Sequence, residues 1–559
     1  MFQKISFIFL VAFLFSCAAT QHVVLSDNDL TANLKKHIST LASDEFMGRE
    51  TGTKGEELAM NYIISQFKEI GLKPKGEKKF VQEFPFTEGA DIGSGTQLYI
   101  NDKTFKLNED FYPLQYSGTA VVTGYMIKVG YGIYAPKLNH DDYANKMNLA
   151  KKIFVLETSS PEGNDPHGKY GDYDLAQRVE VAKSKGATAV IFINSDTTME
   201  NPKADFMHKY SASTIPVVFA KGEAARMLKN DVVINCTVGT EVKKIEKKGH
   251  NVIGFIDKKA ATTIVIGAHY DHLGMGSEGS LYRGEPAIHN GADDNASGTA
   301  ALIELARMLS GNTDNKNNYL LMAFSGEEKG LLGSNYFIKH PTIDLHTVNY
   351  MINMDMLGRL KPDEPVLIIN GVGTSTAWRT AIDTAGMMGL RIKTNESGVG
   401  PSDQTSFYLD SIPAIHFFSG THSDYHKPSD DEPLINYDGE VKIVRIIKTV
   451  VDKLNNSGKI NYIKTKDDSN EDAPRFKVTL GVVPDYAYEG EGMRIDGVSD
   501  ARPAAKAGLL KGDIVIQLGE HKVTDMTTYM KALGKFSKGE TTKVKVKRGN
   551  EEVEKDITF

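Results

Sequence analysis

Four apolar runs in the middle of this chain stop at, or run into, an acid or a histidine. Thr262–Ala268 meets His269, Tyr319–Phe324 leads to Glu327 and Glu328, and Val348–Met354 meets Asp355. Ile412–Phe418 is followed a few residues on by His426. A fifth segment, Gly291-Ala292-Asp293-Asp294-Asn295-Ala296-Ser297-Gly298, puts carboxylates at a turn before the helix-like stretch Thr299–Leu309. In an open α/β sheet, ligands gather beyond the carboxyl ends of the strands. Two imidazoles and three carboxylates, with no thiolate, form a donor set suited to zinc, with cobalt or manganese as substitutes. Five ligands are too many for one tetrahedral ion, so two ions sharing one carboxylate fit better.

Each signal also has a plainer explanation. His269 has Asp271 two residues on, and a carboxylate there can fix the tautomer of a ligating imidazole. Asp293-Asp294-Asn295 holds a helix cap and equally a carboxylate placed to bridge two ions. Ser325 and Glu328 have capping-box spacing, whereas a catalytic reading makes one of the adjacent glutamates a ligand and the other a general base. Asp355 ends an apolar strand and needs a metal or a hydrogen-bond network if buried. His416 lies within an apolar strand and reads as structural; His289 and His422 lie in loops and read as supporting residues.

Taken together, Gly267-Ala268-His269-Tyr270-Asp271, the Gly291–Gly298 segment, Ser325-Gly326-Glu327-Glu328, Asn353-Met354-Asp355 and Tyr425-His426 resemble, in order, the motifs of the co-catalytic zinc aminopeptidases. That family also includes glutamate carboxypeptidase and, more remotely, glutaminyl cyclases. The resemblance spans about 27–117 and 249–455, with Gly48-Arg49 and Gly52-Thr53 matching its N-terminal loop. It implies two zinc ions: His269 and Asp355 on one, Glu328 and His426 on the other, and Asp293 bridging through a cis Asp293–Asp294 peptide. It makes Glu327 the general base towards a metal-bridging water and Asp271 its catalytic companion. His272 departs from the pattern, since many relatives carry Ser there, and Leu273–Asn290 is longer than in the simplest members.

These residues need a scaffold. The expectation is an α/β domain with a mixed, mostly parallel sheet flanked by helices. Ser26–Asp29 followed by Leu30, Leu34, Ile38 and Leu41 predicts a capped amphipathic helix. A second helix is expected from about Glu56 to Ile70, ending at Gly71. Residues 118–248 change texture to short β-like runs with helices between them, and resemble an inserted protease-associated domain. Lys243–Lys248 reads as a solvated connection. Residues 456–474 are polar and read as a linker. Residues 475–559 resemble a PDZ domain, with Thr479-Leu480-Gly481-Val482 matching its carboxylate-binding loop, and a peptide C-terminus is its expected ligand.

At 559 residues and a formal charge of −7, with dispersed Lys and Arg, the chain is a multidomain globular protein with no nucleic-acid footprint. Lys4 and the apolar run Ile5–Phe15 form a secretory signal too short to span a membrane. Leu14–Cys17 resembles a bacterial lipoprotein processing site, which places a lipid anchor on Cys17 and the protein in the periplasm or at the outer membrane. Cys236, the one other cysteine, is expected as a buried small hydrophobe. The reading that follows is an exported dizinc aminopeptidase acting on peptides. The alternatives are a carboxypeptidase, dipeptidase or cyclase on the same scaffold, and a catalytically dead peptide-binding lipoprotein.

Overall fold

The computed structural model describes residues 25–559 apart from 164–168, 171–172, 197–199, 204–212, 231–233, 277–278, 313–314, 384–387, 466–477, 485–487, 489, 499–501, 525, 537–538 and 550. The expected signal and Cys17 lie outside the described residues. Among those described, no helix is long and apolar enough to cross a membrane.

The catalytic candidates sit on a nine-stranded mixed sheet. At its centre four strands run parallel in the order Asn318–Phe324, Thr263–His269, Val348–Met354, Ala414–Phe418. The first three are buried at every position, as expected of strands covered on both faces. Helices Asp27–Leu41, Lys54–Ile70, Gly298–Ser310 and Tyr437–Leu454 cover one face with leucine, isoleucine and valine. Leu332–Lys339 and Gln404–Leu409 cover the other through Phe337 and Phe407. Ser26 caps the first helix, and Gly71, in a left-handed conformation, closes the second.

Val81–Ile92 and Val242–Ile256 form a long antiparallel ribbon leading from this sheet to the inserted unit. Lys243–Lys248, read from composition as a loop-like connection, is a strand of that ribbon, with alternating exposure and a Lys247–Glu88 ion pair at 2.7 Å. The insert has its own eight-stranded sheet, which already includes Gln97–Ile100 and Phe111–Pro113, before residue 118. Cys236 is buried there, and burial pushes its thiol up to about 12. Of the polar stretch 456–474, the described part packs on the catalytic domain: Ile460 is buried, the Ile460 N–H donates to Asn349, and Tyr408 holds Thr465. Ile460 is the segment's own apolar anchor, and the side chains of Asn349 and Tyr408 add polar ones. The C-terminal unit is a sheet packed around Leu480, Val515, Val544 and Phe536.

One buried side chain fastens the N-terminal loop to the site. Arg49 is fully buried and donates to the carbonyls of Tyr270 (2.8 Å), Leu41 (2.7 Å), Asn290 (2.6 Å) and Gly291 (2.9 Å). Burial pulls its pKa down to about 10, against the pull of Asp294, Asp430 and Asp271, so it stays charged at neutral pH. Arg49→Met would strand four buried carbonyls, a loss of about 3 kcal/mol or more. A urea-unfolding midpoint close to that of the wild-type chain would show that Arg49 is not the fastening it is taken to be.

Candidate metal and catalytic site

His269 ends its strand, Asp355 follows the Val348–Met354 strand directly, and Glu327 and Glu328 follow Phe324 by three and four residues. The parallel run of these strands brings all of them to one edge. The segment Ala292–Ser297 enters as an irregular turn ahead of helix Gly298–Ser310. Its backbone is pinned from outside: the Asp430 carboxylate accepts from the N–H groups of Asp293 and Asp294. Asn295 accepts from Gly298 and Met356 and donates to the Met354 carbonyl.

The structure places Asp294, not Asp293, at the centre of the donors. Asp294 Oδ1 lies 3.4 Å from His269 Nε2, and Oδ2 lies 3.3 Å from His426 Nε2. Two groups of three donors share it: His269, Asp294 and Asp355, and His272, Asp294 and Glu328, the donor atoms of each lying within 4.8 Å of one another. His269 Nε2 is 3.2 Å from Asp355, and His426 Nε2 is 3.2 Å from Glu328. Asp293 points elsewhere: its Oδ1 accepts from the Gly358 N–H (2.6 Å) and Ser297, and its Oδ2 faces His422 at 3.2 Å. The cis peptide is likewise one residue later than expected, at Asp294–Asn295. A doublet of identical acids in an irregular turn carries no periodicity that says which one faces the strands.

The histidine tautomers suit metal binding. His426 Nδ1 lies 2.9 Å from the Gly279 carbonyl and His269 Nδ1 lies 3.2 Å from the Asp271 carbonyl. A carbonyl only accepts, so each Nδ1 carries a proton, and Nε2 is the atom that would take a cation once its own proton leaves. His272, set apart in the sequence only as a departure from the family pattern, has its Nδ1 2.7 Å from Glu328 and its Nε2 buried without a partner among the described residues. The Asp271 carboxylate stands 3.7 Å from His269 Nδ1; its closer partners are the Thr51 hydroxyl (2.9 Å) and the Glu327 N–H (3.2 Å). Asp271 therefore holds the backbone of Glu327 in place. The capping-box reading of Ser325 fails: the next helix begins at Leu332, and the Ser325 hydroxyl donates to buried Glu56.

Charge separates the two glutamates. Burial raises Glu327 well above the ordinary carboxylate range against the counter-pull of His269, and the charges of Glu328, Asp355 and Asp403 act in the same sense as burial. Burial acts on Glu328 in the same sense, yet His426 and His272 override it and hold the carboxylate well below that range. Burial opposes charging of His426, but Glu328 and Asp294 carry it up to about 11. His416 is pushed down to about 4 by burial and stacks on Phe418, as a structural histidine should. His289 bonds to Ser280 and the Ala287 carbonyl, and His422 braces Asp293.

The donors open into a cavity of about 680 Å³. Its far walls are Leu331, Met356, Ile368, Val399 and Phe418, and Tyr425 stacks on His426 with ring centroids 3.8 Å apart. Among the described residues lining it there is no lysine or arginine.

Three family models match parts of the chain. Residues 251–451 match the model of peptidase family M28, residues 117–228 that of the PA domain and residues 466–559 that of a PDZ domain. Aminopeptidase YwaD of Bacillus subtilis is 26% identical over 274 residues, covering 46% of this chain and 55% of its own, so the chain spans little more than half of that relative. A probable lipoprotein aminopeptidase of Mycobacterium tuberculosis, LpqL, is 24% identical over 430 residues, covering 72% of this chain and 76% of its own. The solved aminopeptidase from Aneurinibacillus sp. strain AM-1 is 24% identical, with 78% of this chain and 97% of that one covered and a TM-score of 0.44.

The two neighbouring aspartates give opposite expectations. Asp294→Asn removes the shared donor, and the purified chain should lose most of its bound metal by elemental analysis. Asp293→Asn should keep its metal and instead lose about 1–3 kcal/mol of stability through the Gly358 and His422 contacts. The reverse pattern of metal loss would return the central role to Asp293.

Proposed function

We propose, from the premise that this chain carries a peptidase family M28 domain with a PA domain inserted and a PDZ domain appended, that it is an exported zinc aminopeptidase. The single observation that carries the choice of exopeptidase is the charge of the cavity. Its closed end holds Asp294, Glu327, Glu328 and Asp355, and no described lining residue is a lysine or arginine. Zinc held by Asp294, Glu328 and Asp355 would match their charge, so the discriminating feature is the missing cation: a carboxypeptidase has to seat its substrate's α-carboxylate, and no described lysine or arginine lines the cavity to do so.

The donor set fits zinc. Nitrogen and carboxylate oxygen converge without thiolate, two donor triples share one carboxylate, and buried acids outnumber the histidines beside them. His269 and Asp355 would hold one ion, Glu328 and His426 the other, and Asp294 both, with His272 braced against Glu328. Zinc bound there would supply Lewis acidity to water and to the scissile carbonyl. Glu327 stands apart from the donor triples and lines the cavity. Its raised pKa suits a group that takes a proton from the attacking water and passes it to the leaving amine. Asp271 keeps it aimed through the Glu327 N–H. The apolar walls, Ile368, Val399 and Phe418, would receive the side chain of the residue being removed and keep bulk water out.

Export rests on the sequence signal and on the relative named a probable lipoprotein aminopeptidase. Cys17 would then carry the lipid, with the catalytic unit on the periplasmic side or at the outer membrane.

The test is a substrate panel with zinc present: a leucine anilide, the same peptide with free and acetylated N-terminus, and an N-terminal glutaminyl peptide. Hydrolysis of the anilide and of the free peptide alone is expected. Turnover of the acetylated peptide from its C-terminal end, or cyclisation of the glutaminyl peptide, would replace this reading with one of its alternatives. Glu327→Gln should retain zinc while kcat falls by about 100-fold or more; a fully active variant would remove Glu327 from the mechanism. A chelator should abolish turnover and zinc should restore it, which a binding protein with a dead site would not do.

A further inference from the structure

The PDZ domain is docked at the mouth of the catalytic cavity. Its strand Val482–Pro484 is an edge strand among the described residues, paired on one side with Met493–Val498. The loop Thr479–Val482 leads into that strand, with Gly481 at φ 73°. The Arg502 side chain lies against the loop so closely that a Cβ on Gly481 would sit 2.1 Å from the Cβ of Arg502. No described carboxylate pairs with Arg502. At the other end of the strand, the Pro484 carbonyl accepts from the Thr421 hydroxyl at 2.8 Å, and Thr421 lines the catalytic cavity. Lys393 donates to the Tyr488 carbonyl at 3.0 Å, two residues before Asn395 of the cavity wall, and Arg494 pairs with Glu364 at 2.6 Å.

We propose that the PDZ edge strand and the catalytic cavity hold one and the same peptide, the C-terminal carboxylate at Thr479–Val482 beside Arg502 and the N-terminus in the cavity. This rests on the aminopeptidase reading and names its substrate class: peptides of more than three residues with a free carboxylate. Polarity decides the direction. An added strand pairs its backbone with the exposed edge, and a terminal carboxylate is captured by loop N–H groups and a cation. A chain anchored at Thr479–Val482 runs antiparallel to Val482–Pro484, so its N-terminal end advances towards Thr421. Three residues along the edge cover about 10 Å, after which the Thr421–Pro484 contact ends the free edge and the cavity lies ahead. The reverse orientation would bring a carboxylate into a cavity with no described lysine or arginine to pair it. A tail belonging to a folded partner would have to turn away from the cavity at that point, whereas a short peptide continues into it.

The experiment uses the full chain with zinc and a series of leucine-initiated peptides from two to eight residues, each as C-terminal acid and amide. Beyond three residues, the acid should show a KM at least about tenfold below its amide, while dipeptides show no such gap. In Arg502→Ala the acid-to-amide ratio should collapse towards one, with Arg502→Lys keeping part of it and kcat for the amides serving as internal reference. Calorimetric titration of the Glu327→Gln chain with the same pairs reads binding without turnover. If peptides and anilide are cleaved but acid and amide have equal KM at every length, the proposal fails and the aminopeptidase reading stands. If the acid binds Glu327→Gln more tightly than the amide while the KM values stay equal, the loop serves another protein's C-terminus and the shared-peptide proposal is overturned. If neither peptides nor anilide are cleaved, the aminopeptidase reading itself fails and this proposal with it.

Discussion

Carboxylates gathered out of water need positive charge beside them, and much of this domain is arranged around that requirement. Asp271, Asp294 and Asp403 are buried, and the side chains of Glu328 and Asp355 are only 8% and 14% exposed. An unpaired buried carboxylate costs several kcal/mol. Among the described residues, the ion-pair partners of Asp271, Asp294, Glu328 and Asp355 are His269, His272 and His426, while burial pushes Asp403 up to about 7 and Arg49 stands one layer back. Protons on His269 and His426 and divalent cations are two ways of meeting the same demand, and metal binding would displace the former. Parallel strands make such crowding achievable, since all of them end on one edge and their terminal side chains converge without long loops.

Convergence alone would leave the donors loose, and a second layer fixes them. Backbone N–H groups in the Ala292–Ser297 turn are met by Asp430, and Asn295 spans from this turn to the Met354 carbonyl beside Asp355. Asp293 ties the same turn to Gly358 and, through His422, to the loop that carries His426. Arg49 closes the arrangement from the N-terminal side by gripping the carbonyls of Asn290 and Gly291. With the turn held on three sides, the two oxygens of Asp294 are directed to different histidines. Holding donors in position before the cation arrives is what makes such a site selective.

The strands, their acidic or imidazole ends and the helices that cover them were legible in the sequence because burial leaves a continuous apolar run. The candidate donors His269, Glu328, Asp355 and His426 could be picked out because each is an acid or an imidazole that ends or follows an apolar run. The shared carboxylate was not: Asp293 and Asp294 are the same residue type in a turn whose dihedral angles follow no regular period, and only the contacts to Gly358 and His426 separate them. His272 was visible as an oddity, but its contact with Glu328 is a tertiary one across 56 residues. The ribbon strand at Lys243–Lys248 was hidden for the opposite reason, since a two-stranded ribbon exposed on both sides buries too little to leave an apolar signature. Docking of the PDZ edge on Thr421 has no local signature at all, being one hydroxyl meeting one carbonyl.

Glu327 and Glu328 show how far side-chain surroundings outweigh sequence proximity. Both are drawn upward by burial, and the charge of Glu328 adds to that pull on Glu327. Gly326 takes a left-handed conformation (φ 74°), so the chain turns before the pair and no helix aligns them on one face. Glu328 meets two imidazoles at 2.7 and 3.2 Å and stays ionised. Glu327 meets one histidine and three carboxylates through space and is driven the other way. Burial sets the sign for Glu327, whereas the two imidazoles that Glu328 reaches reverse it there. One turn of backbone therefore presents a fixed anion and, beside it, a group poised to exchange a proton, which is the pairing that hydrolysis at a metal-binding edge requires.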